Sequence, residues 1–169
     1  MALLTHLGVG LAAKRIAPKT PVIVLILAAY TIDFIWAAFY FAGIEKLPGP
    51  GPVTTNPWSH GLLMSLVWSL LIGLAAFLVS RSSRAGWVAG LLVFSHWIVD
   101  FISHPMRAAF PDDTKLSLLF DGSPTVGLGL WSTQLGMNIG EYGLLAVGIL
   151  IYVLAIRKIR QEKKASAKE

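Results

Sequence analysis

The chain has 169 residues, of which 55% are hydrophobic and only 14% are charged, and its mean hydropathy is +0.67. These values exclude an ordinary soluble domain, and the absence of cysteine excludes disulfides and thiolate metal sites. The net charge of +5 does not indicate a nucleic-acid partner, because six of the fourteen basic residues lie in a tail after the last apolar segment.

The apolar residues lie in blocks of about 20, which is the helix length that crosses a bilayer. A weak first candidate covers residues 2–17, which either cross the membrane with Lys14 and Arg15 snorkelling or lie in the interface. Residues 20–44, which begin with a Thr-Pro pair, form the first clear crossing. The pattern predicts an all-α, polytopic membrane helical bundle.

Three further crossings follow along the chain. Residues 57–80 begin at an Asn-Pro pair, and residues 85–104 end at Pro105, since proline lacks an amide hydrogen and disfavours helix in the residue before it. The last crossing covers residues 134–156. We therefore predict four to five transmembrane helices.

The helices form one predicted domain, residues 1–156, followed by a basic tail, residues 157–169. Eleven of the fourteen Lys and Arg residues fall on one side of the five-helix arrangement. The positive-inside rule makes this side cytoplasmic, so the N-terminus is expected outside and the C-terminus in the cytoplasm.

The histidines and carboxylates of the clear predicted helices share the same half of the bilayer. The ~1.5 Å rise per helical residue places all of them in the outer half of the bilayer. They are Asp33, His60, His96, Asp100, His104 and Glu141. Because hydropathy does not require polar groups on different helices to share a depth, the pattern predicts a single site.

The stretch "SHWIVDFISHP" places His96, Asp100 and His104 four residues apart and therefore on one helix face. Asn138 and Glu141 form a similar stripe on the last helix. Acids inside a membrane need a partner, and no Lys or Arg lies at their depth. Histidines or a divalent cation are therefore the expected partners.

Other polar residues have simpler interpretations. His60 is expected in a first helical turn, where the helix dipole keeps the imidazole neutral and able to bind metal. His6 is expected in an interfacial start. Ser59, Ser95 and Ser103, each before a histidine, are expected to bond to carbonyls of their own helix.

Residues 105–133 form a predicted loop of almost thirty residues, which is long for so small a protein. Such loops are often lids or binding surfaces.

The stretches "PWSHGLLMSLVW" and "FSHWIVDFISHP" resemble bacterial inner-membrane proteins described as membrane-bound metal-dependent hydrolases. Those proteins open one helix with Thr/Ser-His and carry Ser-His-x-x-x-Asp in the next. "GLGLWS", residues 127–132, is similar to a loop in a related set of small bacterial membrane proteins. The resemblance covers most of residues 30–155. It implies a multi-pass protein of the bacterial inner membrane in which His60, His96 and Asp100 are metal ligands or their neighbours.

Three functions remain open from the sequence. The first is a membrane hydrolase in which His60, His96 and Asp100 hold Zn²⁺ or a similar divalent ion, with Glu141 or Asp33 as general base. Its substrate would be a lipid or lipid-linked molecule in the bilayer. His104 and Asn138 would lie beside the site, and Arg107 would pair with a phosphate.

The second function is a small permease or ion-coupled carrier that uses the same residues, with a homodimer supplying a missing half. The third is a haem protein with two axial histidines, although carboxylates fit a harder cation better.

Overall fold

The computed structural model describes residues 3–47 and 55–167, which are mostly helical. Residue 2 of the predicted first segment and residues 168–169 of the predicted tail lie outside this part. The helices of the described part are α1 (Leu3–Ala12), α2 (Val22–Ala29), α3 (Thr31–Phe41), α4 (Leu62–Ser80), α5 (Ser83–Ser103) and α6 (Gln134–Ser166). A two-residue antiparallel ladder joins β1 (Leu116–Ser117) to β2 (Thr125–Val126), with Leu116 opposite Val126.

Three helices, α4, α5 and α6, are long and apolar enough to cross a membrane. The pair α2 and α3 makes a fourth candidate if the two bent helices form one span. Only 17% of the apolar window is buried in α4 and in α6, so most of their apolar side chains face outward. A membrane is the environment in which such outward apolar faces are stable. The prediction of a mostly helical protein is confirmed, and three to four of its segments could span a membrane.

The predicted crossing of residues 20–44 is not one straight helix. It breaks at Tyr30, where the chain bends by 53° between α2 and α3. Asp33 consequently lies in the first turn of α3, where the positive end of the helix dipole favours a carboxylate. The segment from Val22 to Phe41 contains no Pro or Gly, so its sequence carries no local signal for the bend.

Other helix ends also differ from the prediction. The helix predicted from residue 57 begins at Leu62, and His60 lies in the preceding turn rather than in the first helical turn. Gly61 allows this tight turn, because an added Cβ would lie 2.5 Å from the carbonyl oxygen of Pro57. The last helix does not end at residue 156 but continues to Ser166, so the described part of the basic tail is helical.

Helix α1 packs parallel to α6 through two glycines. An added Cβ on Gly8 would lie 2.6 Å from the Leu144 oxygen, and one on Gly148 would lie 2.2 Å from the Gly8 oxygen. On the other side of the bundle, Gly86 and Gly90 of α5 meet Gly73 of α4 in the same way. The glycines at 86 and 90 therefore allow α4 and α5 to approach closely.

The close contact between α1 and α6 leads to a first prediction. Gly148→Leu is expected to lower the free energy of unfolding of the detergent-purified protein by about 1–3 kcal/mol, because the new side chain must displace α1. The melting temperature should fall accordingly. Gly143→Leu on the same helix is the control, since nothing lies within 4 Å of a Cβ at that position. Equal melting temperatures for the two variants would contradict the packing of α1 against α6.

Candidate metal centre

Five polar side chains converge inside the bundle. Asp33 comes from α3, His60 from the turn before α4, His96 and Asp100 from α5, and His6 from α1. The side chains of His6 and His96 are each 1% exposed, those of Asp100 and Asp33 are 3% and 7% exposed, and that of His60 is 13% exposed. Four of the six residues predicted to share one depth, Asp33, His60, His96 and Asp100, therefore lie together.

The aspartate oxygens and histidine nitrogens of this cluster lie at similar distances from one another. Asp100 Oδ2 lies 3.4 Å from His96 Nε2 and 3.6 Å from His60 Nε2. Asp33 Oδ1 lies 3.7 Å from each of the same two nitrogens. These separations exceed ordinary hydrogen-bond lengths. They fit ligand atoms around an ion, because metal–ligand distances of 2.0–2.2 Å in tetrahedral geometry place ligands about 3.3–3.6 Å apart.

Two overlapping groups of residues could therefore hold a metal ion. One consists of Asp33, His60 and His96, and the other of His6, His96 and Asp100. The ligand atoms of each group lie within 4.8 Å of one another.

The hydrogen bonds of His96 leave its inner nitrogen available. Its Nδ1 lies 2.9 Å from the carbonyl oxygen of Ala29, which can only accept, so Nδ1 carries the hydrogen. Its Nε2 therefore has a free lone pair directed at the acids. Ala29 is the last residue of α2, where helix carbonyls lack partners within the helix. The break at Tyr30 thus helps to orient a ligand.

A chain of hydrogen bonds orients His60 in the same way. The Ser59 hydroxyl donates to Glu45 Oε2 at 2.5 Å, so its oxygen accepts from His60 Nδ1 at 2.7 Å. Glu45 also accepts from the Ser59 amide at 2.9 Å, and both residues are buried. Nε2 of His60 is left as the lone-pair nitrogen. Carboxylate partners of this kind are typical of metal-binding histidines.

Three atoms of the cluster are buried and have no hydrogen-bond partner in the described part of the chain: His6 Nε2, Asp33 Oδ2 and His96 Nε2. Burying such atoms without a partner costs about 1–3 kcal/mol each. A cation among them would satisfy them together.

His6 is a member of the cluster, not part of an interfacial start as expected. Its ring stacks on that of His96 with centroids 3.7 Å apart, and its Nε2 lies 3.5 Å from Asp100 Oδ1. The sequence contained one signal for this position. If the first segment crosses the membrane, His6 falls in the same half of the bilayer as the other histidines.

A cavity of about 80 Å³ leads to the cluster. Asp33, His60 and Asp100 line its inner end. Its outer walls come from α3, the connection before α4 and the loop after α5, and they include Trp36, Leu47, Thr55, Asn56, Met106, Phe110, Lys115 and Leu116. This volume holds only a few water molecules, so any larger molecule must place a small group beside the cluster.

The long loop folds back over the end of α5. The amide of Leu128 donates to the Phe101 oxygen at 2.8 Å, and that of Gly129 donates to the His104 oxygen at 2.7 Å. Leu63 of α4 donates its amide to the Leu118 oxygen at 3.1 Å. The loop therefore packs against α4 and α5, and several of its residues line the cavity that leads to the cluster.

His104 holds this loop in place. Its Nδ1 lies 3.0 Å from Asp113 Oδ2. Burial disfavours the charged ring, but the hydrogen bond that His104 donates to Asp113 and the charges of Asp100 and Asp113 outweigh burial and raise the pKa of His104. Burial likewise opposes the Asp113 carboxylate, but the contact with His104 lowers the pKa of Asp113. His104 thus borders the cavity and pairs with the loop.

This pair gives a pH-dependent prediction. Because the pKa of His104 is raised in the folded protein, its charged ring stabilises the fold fully below the unfolded pKa of 6.5. This stabilisation is lost as pH rises through the folded pKa. Because the pKa of Asp113 is lowered in the folded protein, its carboxylate stabilises the fold fully above the unfolded pKa of 3.8. This stabilisation is lost as pH falls through the folded pKa. Asp113→Asn should therefore reduce the melting temperature most between these two values. A constant deficit from acid to alkaline pH would contradict the charged pair.

Other predicted site residues lie elsewhere. Glu141 accepts from the Thr5 amide at 2.9 Å and belongs to neither metal-binding group. Asn138 is exposed and accepts from Gln134 at 2.9 Å. Arg107 is exposed and is not among the residues that line the cavity. Glu141 therefore joins α6 to α1 and so positions the helix that carries His6.

The serines divide into two kinds. Ser95 and Ser103 bond to carbonyls of their own helix, Leu92 and Asp100, at 2.6 and 3.2 Å, as expected. Ser59 bonds instead to Glu45, a residue that the sequence did not indicate as part of the site.

The role of Glu45 can be tested by one substitution. Glu45→Gln is expected to weaken metal binding by about 10- to 100-fold, because the chain that orients His60 loses its charged acceptor. Affinity is measured by competition with a chelating dye. Glu162→Gln, at an exposed glutamate on α6, is the control. Unchanged affinity in Glu45→Gln would show that the orientation of His60 does not depend on this carboxylate.

No family model, curated protein or solved structure matches this chain.

Proposed function

We propose that the protein is a membrane-embedded, metal-dependent hydrolase. The observation that carries the proposal is the convergence of buried histidine nitrogens and aspartate oxygens, oriented by hydrogen bonds, at the inner end of a cavity. Two histidines and an aspartate are a ligand set that suits Zn²⁺. Bound there, the metal would lower the pKa of a coordinated water toward ~7.

His60, His96 and Asp100 are the proposed ligands. Catalytic zinc sites use three protein ligands and leave one position open, whereas structural sites use four. His60 and Asp100 line the cavity, so a water bound to a metal held by these residues would be reached from it. His6 pairs with the second oxygen of Asp100 and stacks on His96, which restrains both ligands.

Asp33 is the proposed general base. It lines the cavity, and its Oδ2 has no hydrogen-bond partner in the described residues. Its Oδ1 lies 3.7 Å from both ligand histidines, so the carboxylate borders the position where water would bind. Glu141, the other candidate base, is occupied by Thr5, and we assign it a structural role.

The proposed substrate is an amphiphile at the membrane surface. The cavity has apolar walls, including Trp36, Phe110 and Leu116, and Lys115 is the one lysine or arginine among its described lining residues. Lys115 rather than Arg107 is therefore positioned to pair with an anionic group. A lipid or lipid-linked ester or phosphoester fits this combination.

The proposed orientation places the cluster in the outer half of the bilayer. Lys14, Arg15, Arg84 and Lys158 lie together at the opposite end of the bundle, around a second cavity. The positive-inside rule makes this end cytoplasmic. In the proposed bacterial inner membrane, the N-terminus therefore lies outside and the C-terminus lies in the cytoplasm.

A carrier is the second candidate, and the broken helix favours it. Discontinuous helices with polar groups at the break often line the ion sites of transporters. Here Asp33 and the Ala29 carbonyl lie on either side of the bend at Tyr30.

Two assays on the purified protein separate these functions. A hydrolase is expected to cleave chromogenic long-chain esters or phosphoesters in detergent, and chelation should abolish the activity until Zn²⁺ is restored. Reconstituted vesicles loaded with a Zn²⁺-sensitive dye test the carrier. Zinc flux without any hydrolysis across the substrate panel would reject the hydrolase in favour of the carrier.

A further inference from the structure

The opposite end of the bundle contains a second polar cavity, of about 200 Å³. Four basic side chains from three parts of the chain line it, together with one acid, Glu162. Lys14 and Arg15 come from the turn after α1, Arg84 from the start of α5 and Lys158 from α6. The cavity therefore concentrates positive charge where three elements meet.

The basic groups are partly held in position. Arg84 donates from Nε and Nη2 to the Ile16 oxygen, at 3.1 and 2.6 Å. Lys14 donates to the Thr20 oxygen at 2.6 Å. A guanidinium has five N–H donors and an ammonium has three, so both groups keep donors beyond these bonds. Donors fixed in this way form an anion site at a low entropic cost.

Apolar surface adjoins these charges. Ile16 is 50% exposed beside Arg15, and Trp87 is 71% exposed one turn from Arg84. Arg84 is also the second residue of α5, a candidate membrane span that begins at Ser83. The cavity thus lies where a membrane span begins, which is the level of lipid phosphates.

We propose that this cavity binds the phosphate of an anionic phospholipid headgroup. The four basic groups contact the phosphate, while the acyl chains lie along the exposed apolar surface. A free anion would match the charge but would leave the adjoining apolar surface unused. Basic pockets between membrane helices bind acidic headgroups in this way. The proposal does not depend on the metal centre.

Lipid binding to the full-length protein in neutral detergent tests the proposal. Native mass spectrometry compares phosphatidylglycerol with phosphatidylcholine. The double variant Arg15→Gln/Lys158→Gln, at exposed positions, should weaken phosphatidylglycerol binding by about 10- to 30-fold. The control, Lys19→Gln/Arg160→Gln, removes the same charge from exposed residues that do not line the cavity and should bind nearly as wild type.

Four results would overturn the proposal. The first is wild-type protein that binds the two lipids equally, and the second is an equal loss in both double variants. The third uses inorganic phosphate alone. If phosphate raises the melting temperature of the delipidated protein as much as phosphatidylglycerol does, the site takes a free anion. If the cavity variant fails to fold, the salt dependence of wild-type binding is the test. Phosphatidylglycerol binding should weaken as salt is added, and salt-independent binding would contradict the proposal.

Discussion

Asp100→Asn is expected to remove the metal from the protein, with affinity falling on the order of 100-fold or more. Oδ2 of Asp100 faces both His60 and His96, and Oδ1 faces His6, so one carboxylate serves every histidine of the cluster. Asparagine keeps the shape but carries no charge and offers one oxygen only. Zinc affinity is measured by competition with a chelating dye.

Asp112→Asn is the matched control for this substitution, because it removes the same charge from an exposed position in the loop. It should bind zinc as wild type does. If Asp100→Asn retained wild-type affinity while remaining folded, Asp100 would not be a ligand and the assigned ligand set would be wrong.

Asp33→Asn should have a different effect and separate catalysis from binding. We expect the turnover rate to fall by about 10²- to 10⁴-fold, because the amide cannot accept a proton from water. Metal content should stay close to that of wild type, since His60, His96 and Asp100 remain. The measurement pairs kcat on the most active ester with metal analysis of the same sample.

Loss of the metal from Asp33→Asn, as complete as in Asp100→Asn, would contradict the role of Asp33 as a base. Asp33 would then be a ligand within the group that it forms with His60 and His96.

Part of the candidate site could be predicted from the sequence alone. The spacing of His96 and Asp100 was sufficient to place both on one helix face, and Asp100 Oδ2 does lie 3.4 Å from His96 Nε2. Asp33 and His60, which the helical rise predicted at a similar level, do lie beside this pair. These are local, periodic properties that a sequence contains.

Features that depend on tertiary packing could not be predicted. The bend at Tyr30 has no Pro or Gly, so it follows from packing rather than from local sequence. The burial of Glu45 against Ser59 depends on a connection that folds back onto the site. Glu141 shares the depth of the other acids, but depth does not determine direction, and its side chain bonds to α1.

Metal analysis of wild-type protein, purified without chelator, tests whether the cluster is a metal site. We expect about one equivalent of a divalent transition metal, zinc above all, or uptake of one equivalent when Zn²⁺ is added to the apo-protein. Folded protein that contains no such metal and takes up none would contradict it, because the convergent histidines and aspartates would then only join helices to one another.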